Sequence, residues 1–85
     1  MNYKLVYTKR AVKDIINLDA RIKSRIKKNL EMYSKSPFKH SEKLTNHEIG
    51  TYRFRVGDYR TIFDLHKDKI VVLRVGHRRE IYRKL

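Results

Sequence analysis

Cationic and apolar side chains alternate along the stretch YRFRVGDYR, a pattern that predicts two β-strands joined by a tight turn at Gly57-Asp58. A two-residue turn would place Arg55 directly opposite Arg60, on the same face of the hairpin as Arg53. Like charges about 5 Å apart repel by roughly 3 kcal/mol at an effective dielectric near 20. Because a fold gains nothing from such a cluster, we predict that these guanidinium groups bind an anion. The same repulsion predicts that neutralising Arg55 or Arg60 stabilises the protein while removing its function.

The charge of the whole chain also indicates an anionic partner. The 85 residues include 22 lysines and arginines against 9 aspartates and glutamates, a formal net charge of +13 at pH 7. Such an excess is typical of proteins that bind nucleic acid, an anionic membrane surface or a strongly acidic protein. Hydrophobic residues make up 40% of the chain, which favours one small folded domain over 1–85 rather than a disordered basic tail.

Metal, disulfide and membrane chemistry find no support in the sequence. The chain has no cysteine, which excludes disulfides and thiolate metal sites. Its histidines show no ligand spacing and no accompanying carboxylate cluster, so we predict no metal and no cofactor. No apolar run is long enough for a transmembrane helix, and the start MNYKLVY lacks the apolar segment of a signal peptide. We therefore expect a cytoplasmic protein with no membrane partner.

The spacing of apolar residues predicts an α+β fold. Thr8 and Asp19 are suited to cap two helices, because their side-chain oxygens accept hydrogen bonds from the helix backbone. After the second helix, the apolar period changes from helical to strand-like. The predicted elements are a strand over 3–7, helices over 9–18 and 20–35, a polar loop over 38–47, and strands over 50–56, 59–66 and 70–76. Two helices would then pack on one face of a small, largely antiparallel four-stranded sheet, ordered β-α-α-β-β-β with a short C-terminal segment.

The register of the last hairpin determines which face receives the later arginines. A two-residue turn between the last two strands would direct Arg74 into the core. A three-residue turn, with Lys69 in the left-handed conformation, would bury Val71, Leu73 and Val75 instead. Since burial of apolar side chains outweighs the turn preference, we predict the three-residue turn. The face opposite the helices would then carry Arg53, Arg55, Arg60, Arg74, Gly76 and Arg78.

The hairpin YRFRVGDYR and the closing segment VGHRREIY together resemble the RelE/ParE superfamily of small toxins from type II toxin–antitoxin systems, and more closely its RelE branch. The resemblance extends over nearly the whole chain, in element order, length and basicity. It implies an mRNA interferase, a metal-independent endoribonuclease that cleaves messenger RNA in the ribosomal A site. The 2′-hydroxyl attacks the adjacent phosphate, which leaves a 2′,3′-cyclic phosphate and a 5′-hydroxyl. The implied partners are the ribosome, messenger RNA and an acidic, RelB-like antitoxin that covers the basic face or displaces the C-terminal segment.

The resemblance also assigns the catalytic positions of the family to residues of this chain. Arg53 and Arg55 would hold the scissile phosphate, and Arg60 would bind the phosphate and the developing charge. Arg78 would stabilise or protonate the leaving oxygen, while Tyr82 would orient the nucleotide or act as the base. Two departures from the family pattern stand out. The first two hairpin positions are typically lysine in the best-known member and are arginine here, and the spacing from Arg78 to Tyr82 is shorter by two residues.

The general base is left open by the sequence. Arginine stays protonated, so another group must accept the proton unless activation is purely electrostatic or comes from the ribosome. Tyr82 is one candidate, because surrounding cations would lower its pKa from about 10, although its ring could equally stack on a nucleobase. His77 is the second candidate, but a regular last strand would direct its side chain away from Arg78.

The second predicted helix carries further cations that we predict to contact RNA or the ribosome, together with Arg74. These cations are Arg21, Lys23, Arg25, Lys27 and Lys28. The plain alternative is a solvated helix face. For the chain as a whole, two other functions are compatible with the sequence. A ParE-like protein would inhibit DNA gyrase, although that branch generally lacks the arginine set, and a non-catalytic basic module would only bind nucleic acid.

Overall fold

The computed structural model describes residues 3–43 and 52–81, and its α+β architecture confirms the predicted fold class. In chain order, the elements are β1 (Lys4–Tyr7), α1 (Lys9–Ile16), α2 (Ala20–Tyr33), α3 (Pro37–His40), β2 (Ser41–Lys43), β3 (Tyr52–Val56), β4 (Tyr59–His66) and β5 (Lys69–His77). No helix in the described ranges is long and apolar enough to cross a membrane.

The sheet has five strands in the order β1-β5-β4-β3-β2, one more than the sequence predicted. The additional strand is β2, which lies in the segment predicted as a polar loop and follows the short helix α3. It pairs antiparallel with β3 and brings Glu42 opposite Arg53. The sequence did not predict β2 because three polar residues carry no alternating apolar signal.

Both long helices begin at the predicted caps. The Thr8 side-chain oxygen accepts a hydrogen bond from the backbone N–H of Ala11 at 3.1 Å. Asp19 Oδ1 accepts one from the backbone N–H of Arg21 at 3.0 Å. The apolar faces of α1 and α2 pack on one side of the sheet, where Ala11 and Leu30 are buried. The two helices therefore leave the opposite face of the sheet uncovered by helix.

The core between helices and sheet is apolar and rich in aromatic rings. Phe54 of β3 and Phe63 of β4 are fully buried and stack with ring centroids 4.3 Å apart. Burying a side chain of this size stabilises the fold by roughly 1.5–3 kcal/mol. The buried core cluster comprises Ala11, Ile26, Leu30, Phe54, Val56, Phe63, Ile70, Val72 and Val75.

The turn between β4 and β5 has two residues, so the predicted three-residue turn is wrong. His66 pairs with Lys69, which leaves only Lys67 and Asp68 in the turn. Lys67 rather than Lys69 takes the left-handed conformation, with φ of 57°. This is the tight connection that antiparallel strands favour because its twist matches theirs.

A β-bulge in β5 explains how a two-residue turn is compatible with an apolar core. Ile62 pairs with Arg74, but the next residue, Phe63, pairs with Val72, so Leu73 is the extra residue on β5. An extra residue reverses which face the following side chains occupy. Arg74 therefore shares a face with Ile62, on the side opposite the core, as it would have done with the longer turn.

The bulge also changes which residues of β5 form the core. Ile70, Val72 and Val75 are buried in the core cluster. The sequence predicted Val71, Leu73 and Val75 for these positions, and only Val75 is correct. Val71 instead pairs with Asp64 before the bulge and is only partly buried. A one-residue irregularity of this kind cannot be read from periodicity, because each half of β5 alternates normally.

Helix α1 continues along the edge of β5 where β1 ends. The backbone N–H of Thr8 donates to the carbonyl of Val72 at 3.1 Å, and the Thr8 hydroxyl donates to the carbonyl of Leu73 at 3.2 Å. One turn further on, Asp14 Oδ2 accepts the backbone N–H of Val75 at 3.0 Å. These contacts satisfy backbone groups that an edge strand would otherwise expose.

Candidate functional site

Two arginines lie directly opposite each other at the end of the β3–β4 hairpin. Arg55 pairs with Arg60, and Gly57 in the two-residue turn has φ of 60°, a conformation that glycine adopts without strain. Arg53 shares their face, where it pairs with Ile62. The face opposite the helices thus carries the predicted guanidinium groups of Arg53, Arg55 and Arg60 on neighbouring strands, and we name it the arginine face.

Glu42 of β2 joins two of these arginines. Its Oε2 accepts a hydrogen bond from Arg53 Nη2 at 2.8 Å, and its Oε1 accepts one from Arg55 Nη1 at 3.3 Å. The hydrogen bonds from Arg53 and then Arg55 hold the pKa of the Glu42 carboxyl below its usual range. This carboxylate was not among the predicted site residues, because β2 itself was not predicted. In the sequence, Glu42 is marked only as an acidic residue that precedes the arginine-rich strand β3.

Arg60 differs from the other hairpin arginines because it is buried, with 5% of its surface exposed. Its Nη1 donates to the carbonyl of Gly57 at 2.9 Å and to the carbonyl of Tyr59 at 3.0 Å. The guanidinium therefore bends back over the turn and binds its backbone. A charged donor that satisfies two carbonyls has a structural role in addition to any contact with a ligand.

Arg78 is held against the same turn from the chain segment that follows β5. Its backbone N–H donates to the carbonyl of Asp58 at 2.8 Å, and its Nε lies 3.6 Å from Asp58 Oδ1. The side chain itself is half exposed. Arg60 and Arg78 thus contact the two successive residues of the turn, which brings the predicted leaving-group arginine to the hairpin.

The chain then folds back over the arginine face. Gly76 lies opposite Arg60, and a Cβ atom at residue 76 would be 3.6 Å from Cβ of Ile81. Ile81 is buried, and so is Ile62 of the same face. Apolar side chains are therefore buried on the same face as the guanidinium groups. Tyr82, predicted as a catalytic residue, lies outside the described residues.

His77 lies on the helix side of the sheet, as strand parity predicts. It pairs with Tyr59 and makes an edge contact with its ring, with centroids 5.4 Å apart. Its Nδ1 accepts a hydrogen bond from the backbone N–H of Arg79 at 3.2 Å. The position and the contacts of His77 separate it from the arginine face.

Arg74 is bound by an acidic side chain of α1. Its Nε donates to Asp14 Oδ2 at 2.8 Å, and its Nη2 donates to Asp14 Oδ1 at 3.2 Å. Both side chains are mostly buried, with 14% and 17% of their surfaces exposed. This two-pronged pair fastens α1 to the edge of β5. Although Arg74 was predicted to contact RNA, its guanidinium is directed away from the hairpin arginines.

The cations of α2 do not form one surface. Lys23 and Lys27 line a groove between α1 and α2. Arg25 lies on the other flank of the helix, with its guanidinium against Gly57. Successive residues advance by about 100° around a helix, which leaves Arg21 and Lys28 on the outward side. The set predicted from the sequence is thus divided among three directions.

The groove between α1 and α2 is lined mainly by apolar side chains. It has a volume of about 300 Å³, and Val12 and Ile16 are exposed along it. Tyr7 lies at one end, where burial and then the nearby Glu31 carboxylate raise the pKa of its hydroxyl. With Lys23 on the rim, the groove presents an apolar floor beside positive charge.

Comparison with known proteins relates the chain to bacterial and archaeal toxins. A family model described as the ParE toxin of the type II toxin–antitoxin system, parDE, matches residues 5–82. The chain is 35% identical over 83 residues to Toxin RelE3 of Methanocaldococcus jannaschii, in an alignment that covers 93% of this chain and 94% of that protein.

Solved structures share the fold over nearly the whole chain. The RelBE2 toxin–antitoxin complex from Mycobacterium tuberculosis matches with a TM-score of 0.82 and 26% identity, covering 91% of this chain and 99% of that chain. The RelB–RelE antitoxin–toxin complex from Methanococcus jannaschii matches with a TM-score of 0.73 and 30% identity, covering 94% and 98%.

Proposed function

This chain belongs to the RelE/ParE family of toxins from type II toxin–antitoxin systems, and from that premise we propose that it cleaves messenger RNA in the ribosomal A site. The observation that carries the proposal is the pairing of Arg55 with Arg60 on a face that also holds Arg53. Guanidinium groups on neighbouring strands can each bind two oxygens of a phosphodiester. They also stabilise the negative charge that develops on those oxygens in the transition state.

In the proposed reaction, the 2′-oxygen bonds to the adjacent phosphorus as the bond from phosphorus to the 5′-oxygen breaks. Arg53 and Arg55 hold the scissile phosphate, and Arg60, which lies opposite Arg55 on the same face, adds positive charge. Arg78, beside the turn, stabilises the negative charge on the departing 5′-oxygen, which takes a proton from solvent water to become a 5′-hydroxyl. Tyr82 would orient the nucleotide, and this role remains a prediction.

In the proposed reaction, Glu42 accepts the proton of the 2′-hydroxyl, because the arginines stay protonated and cannot act as bases. In the free protein it is ionised, because Arg53 and Arg55 lower its pKa, and so it is a weak base. A substrate phosphate competes for the same two guanidinium groups. Once it displaces the Glu42 carboxylate from them, the lost hydrogen bonds and the new negative charge both raise the pKa of Glu42. Substrate binding would thus increase the basicity of Glu42 where the 2′-hydroxyl must lose its proton.

The proposal is tested with purified protein, ribosomes and a defined messenger RNA. Wild-type protein should cut within the A-site codon, and the upstream fragment should end in a 2′,3′-cyclic phosphate. Arg55→Ala is the most informative variant, because the Arg55 side chain is exposed and we expect its removal to leave the fold intact. We expect its cleavage rate to fall by roughly 10²–10³-fold. Cleavage by Arg55→Ala at the wild-type rate would contradict the proposal.

The apolar groove between α1 and α2 supports the antitoxin part of the function. The two solved structures compared above are toxin–antitoxin complexes. We propose that an acidic, amphipathic helix of the cognate antitoxin lies in this groove. Its apolar face would cover Val12 and Ile16, and its carboxylates would pair with Lys23 and Lys27 on the rim. Further acidic contacts on the arginine face remain a prediction.

A second candidate is inhibition of DNA gyrase, which the name of the matching ParE family model favours. A supercoiling assay with purified gyrase separates the two functions directly. Inhibition of gyrase without messenger RNA cleavage would establish this second candidate. Salt-sensitive RNA binding with neither activity would indicate a non-catalytic binding module.

A further inference from the structure

Three guanidinium groups reach the Gly57-Asp58 turn from three different elements. Arg60 of β4 donates to the carbonyl of Gly57, and Arg78, after β5, pairs with Asp58. The third is Arg25 of α2. A Cβ atom at residue 57 would lie only 3.0 Å from Arg25 Nη2 and 3.1 Å from its Nη1. The two Nη atoms of Arg25 thus lie against the turn, in space that the Cβ of any other residue at position 57 would crowd.

The turn keeps an excess of positive charge. Asp58 is the one carboxylate that the described contacts place at the turn, and Arg78 already pairs with it. Among the described residues, no carboxylate pairs with Arg25, whereas Glu42 neutralises part of the charge of Arg53 and Arg55 at the other end of the face. The positive charge is therefore less compensated at the turn than at the Glu42 end of the arginine face, so the turn is the more favourable place for an anion to bind.

Arg25 also differs from the other cations of its helix. The side-chain amide of Asn29, one turn later on the same flank, donates to the carbonyl of Arg25 at 2.7 Å. Lys27 lies on the opposite flank, along the apolar groove. The contact with Gly57 places the Arg25 guanidinium at the turn that joins the strands of Arg55 and Arg60, although Arg25 belongs to the helical layer.

We propose that Arg25 binds a second backbone phosphate of the RNA, beyond the phosphate held by Arg53 and Arg55. The turn and this flank of α2 then extend the RNA-binding surface beyond the arginine face. Arg25 would position the strand rather than take part in the reaction itself, and its planar fork suits two phosphate oxygens at once. The inference rests on the proposed function for the identity of the ligand as RNA.

The test is binding of a short, single-stranded 2′-O-methyl RNA, which lacks the attacking hydroxyl and cannot be cleaved. Affinity is measured from 50 to 300 mM salt for wild type, Arg25→Ala and Arg25→Lys. Lys9→Ala is the matched control, because it removes one exposed charge from α1, away from the turn. Melting temperatures establish that each variant is folded.

Arg25→Ala should bind about tenfold more weakly at 0.1 M salt. It should also reduce the slope of log affinity against log salt by about 0.7, the value for one phosphate contact on a single strand. Arg25→Lys should keep the slope and lose part of the affinity, since it retains the charge without the fork. If Arg25→Ala does not fold, the affinity of Arg25→Lys still tests whether the guanidinium group binds a phosphate.

Equal slopes for Arg25→Ala and Lys9→Ala would overturn the inference, because the loss would then reflect net charge alone. The nuclease proposal fails differently. A wild-type protein that binds RNA with an Arg25-dependent slope but never cuts messenger RNA would refute the nuclease and leave the phosphate site standing.

Discussion

Glu42 and Arg53 face each other across β2 and β3, and their side chains form an ion pair of 2.8 Å. The same carboxylate reaches Arg55 at 3.3 Å. The arginine face therefore holds a carboxylate of its own where a phosphate would bind. This contact offsets part of the repulsion that the sequence predicted. In the proposed mechanism, Glu42 is both a competitor of the substrate phosphate and the acceptor of the 2′-hydroxyl proton.

Replacement of Glu42 by glutamine should separate binding from catalysis. Glu42→Gln removes the competing charge, so we expect the 2′-O-methyl RNA to bind about three- to tenfold more tightly. It also removes the proposed base, so we expect the rate of messenger RNA cleavage to fall by roughly 10²-fold or more. Both are measured on the same preparation. A variant that cleaves as fast as wild type would exclude Glu42 as the base.

The Glu42 ion pairs should make stability depend on pH in the acid range. The pKa of Glu42 is lowered from 4.5 in the folded protein, so its ionised form is the one that folding stabilises. That contribution is complete above the ordinary pKa and is lost as the pH falls through the lowered value. Urea unfolding of wild type and Glu42→Gln from pH 7 to pH 3 should show a constant difference above about pH 5 that shrinks below it. A difference independent of pH would contradict these ion pairs.

Arg60 should stabilise the fold, contrary to the expectation from charge repulsion alone. Its guanidinium is buried and binds two carbonyls of the hairpin turn. We expect Arg60→Ala to lower the free energy of unfolding by about 2 kcal/mol, measured by urea denaturation. Arg55→Ala is the control, since it removes the same charge from an exposed position and should change stability by less than about 0.5 kcal/mol. If Arg60→Ala were more stable than wild type, the repulsion between Arg60 and Arg55 would outweigh the hydrogen bonds that Arg60 makes.

Asp14 and Arg74 should be strongly coupled. Both side chains are largely buried in a two-pronged pair that joins α1 to β5. Removing one partner leaves the other charge uncompensated, so we expect Asp14→Ala to cost about 2–3 kcal/mol. The double variant with Arg74→Ala should cost less than the sum of the two single changes. Additive losses in this double-mutant cycle would mean that the pair contributes no interaction energy.

A charge placed in the α1–α2 groove should release the toxin from its antitoxin. Val12 is exposed on the groove and lies away from the arginine face. We expect Val12→Glu to weaken antitoxin binding roughly 10- to 100-fold, measured by titration calorimetry, because it repels an acidic partner and removes apolar contact. Val12→Leu, which keeps the apolar surface, should bind normally. Unchanged affinity in Val12→Glu would place the antitoxin elsewhere.

The hairpin was predictable because its signals are local. Gly57-Asp58 and the flanking alternation determine the turn length, and turn length determines that Arg55 lies opposite Arg60. The helix starts were predictable for the same reason, since Thr8 and Asp19 cap their own helices within three residues. The position of Arg78 beside the hairpin also followed the predicted strand order.

The sequence by itself thus determined the α+β class, the caps, the paired arginines and the strong positive charge, because each depends on residues that are close along the chain. Only the tertiary structure decided the bulge at Leu73, the pairing of Arg74 with Asp14 and the contact of Arg25 with Gly57. These depend on residues far apart in sequence, which meet only after the sheet has formed. The role of Glu42 was not predictable for the same reason. Its short strand, β2, has no apolar pattern and forms because it pairs with β3.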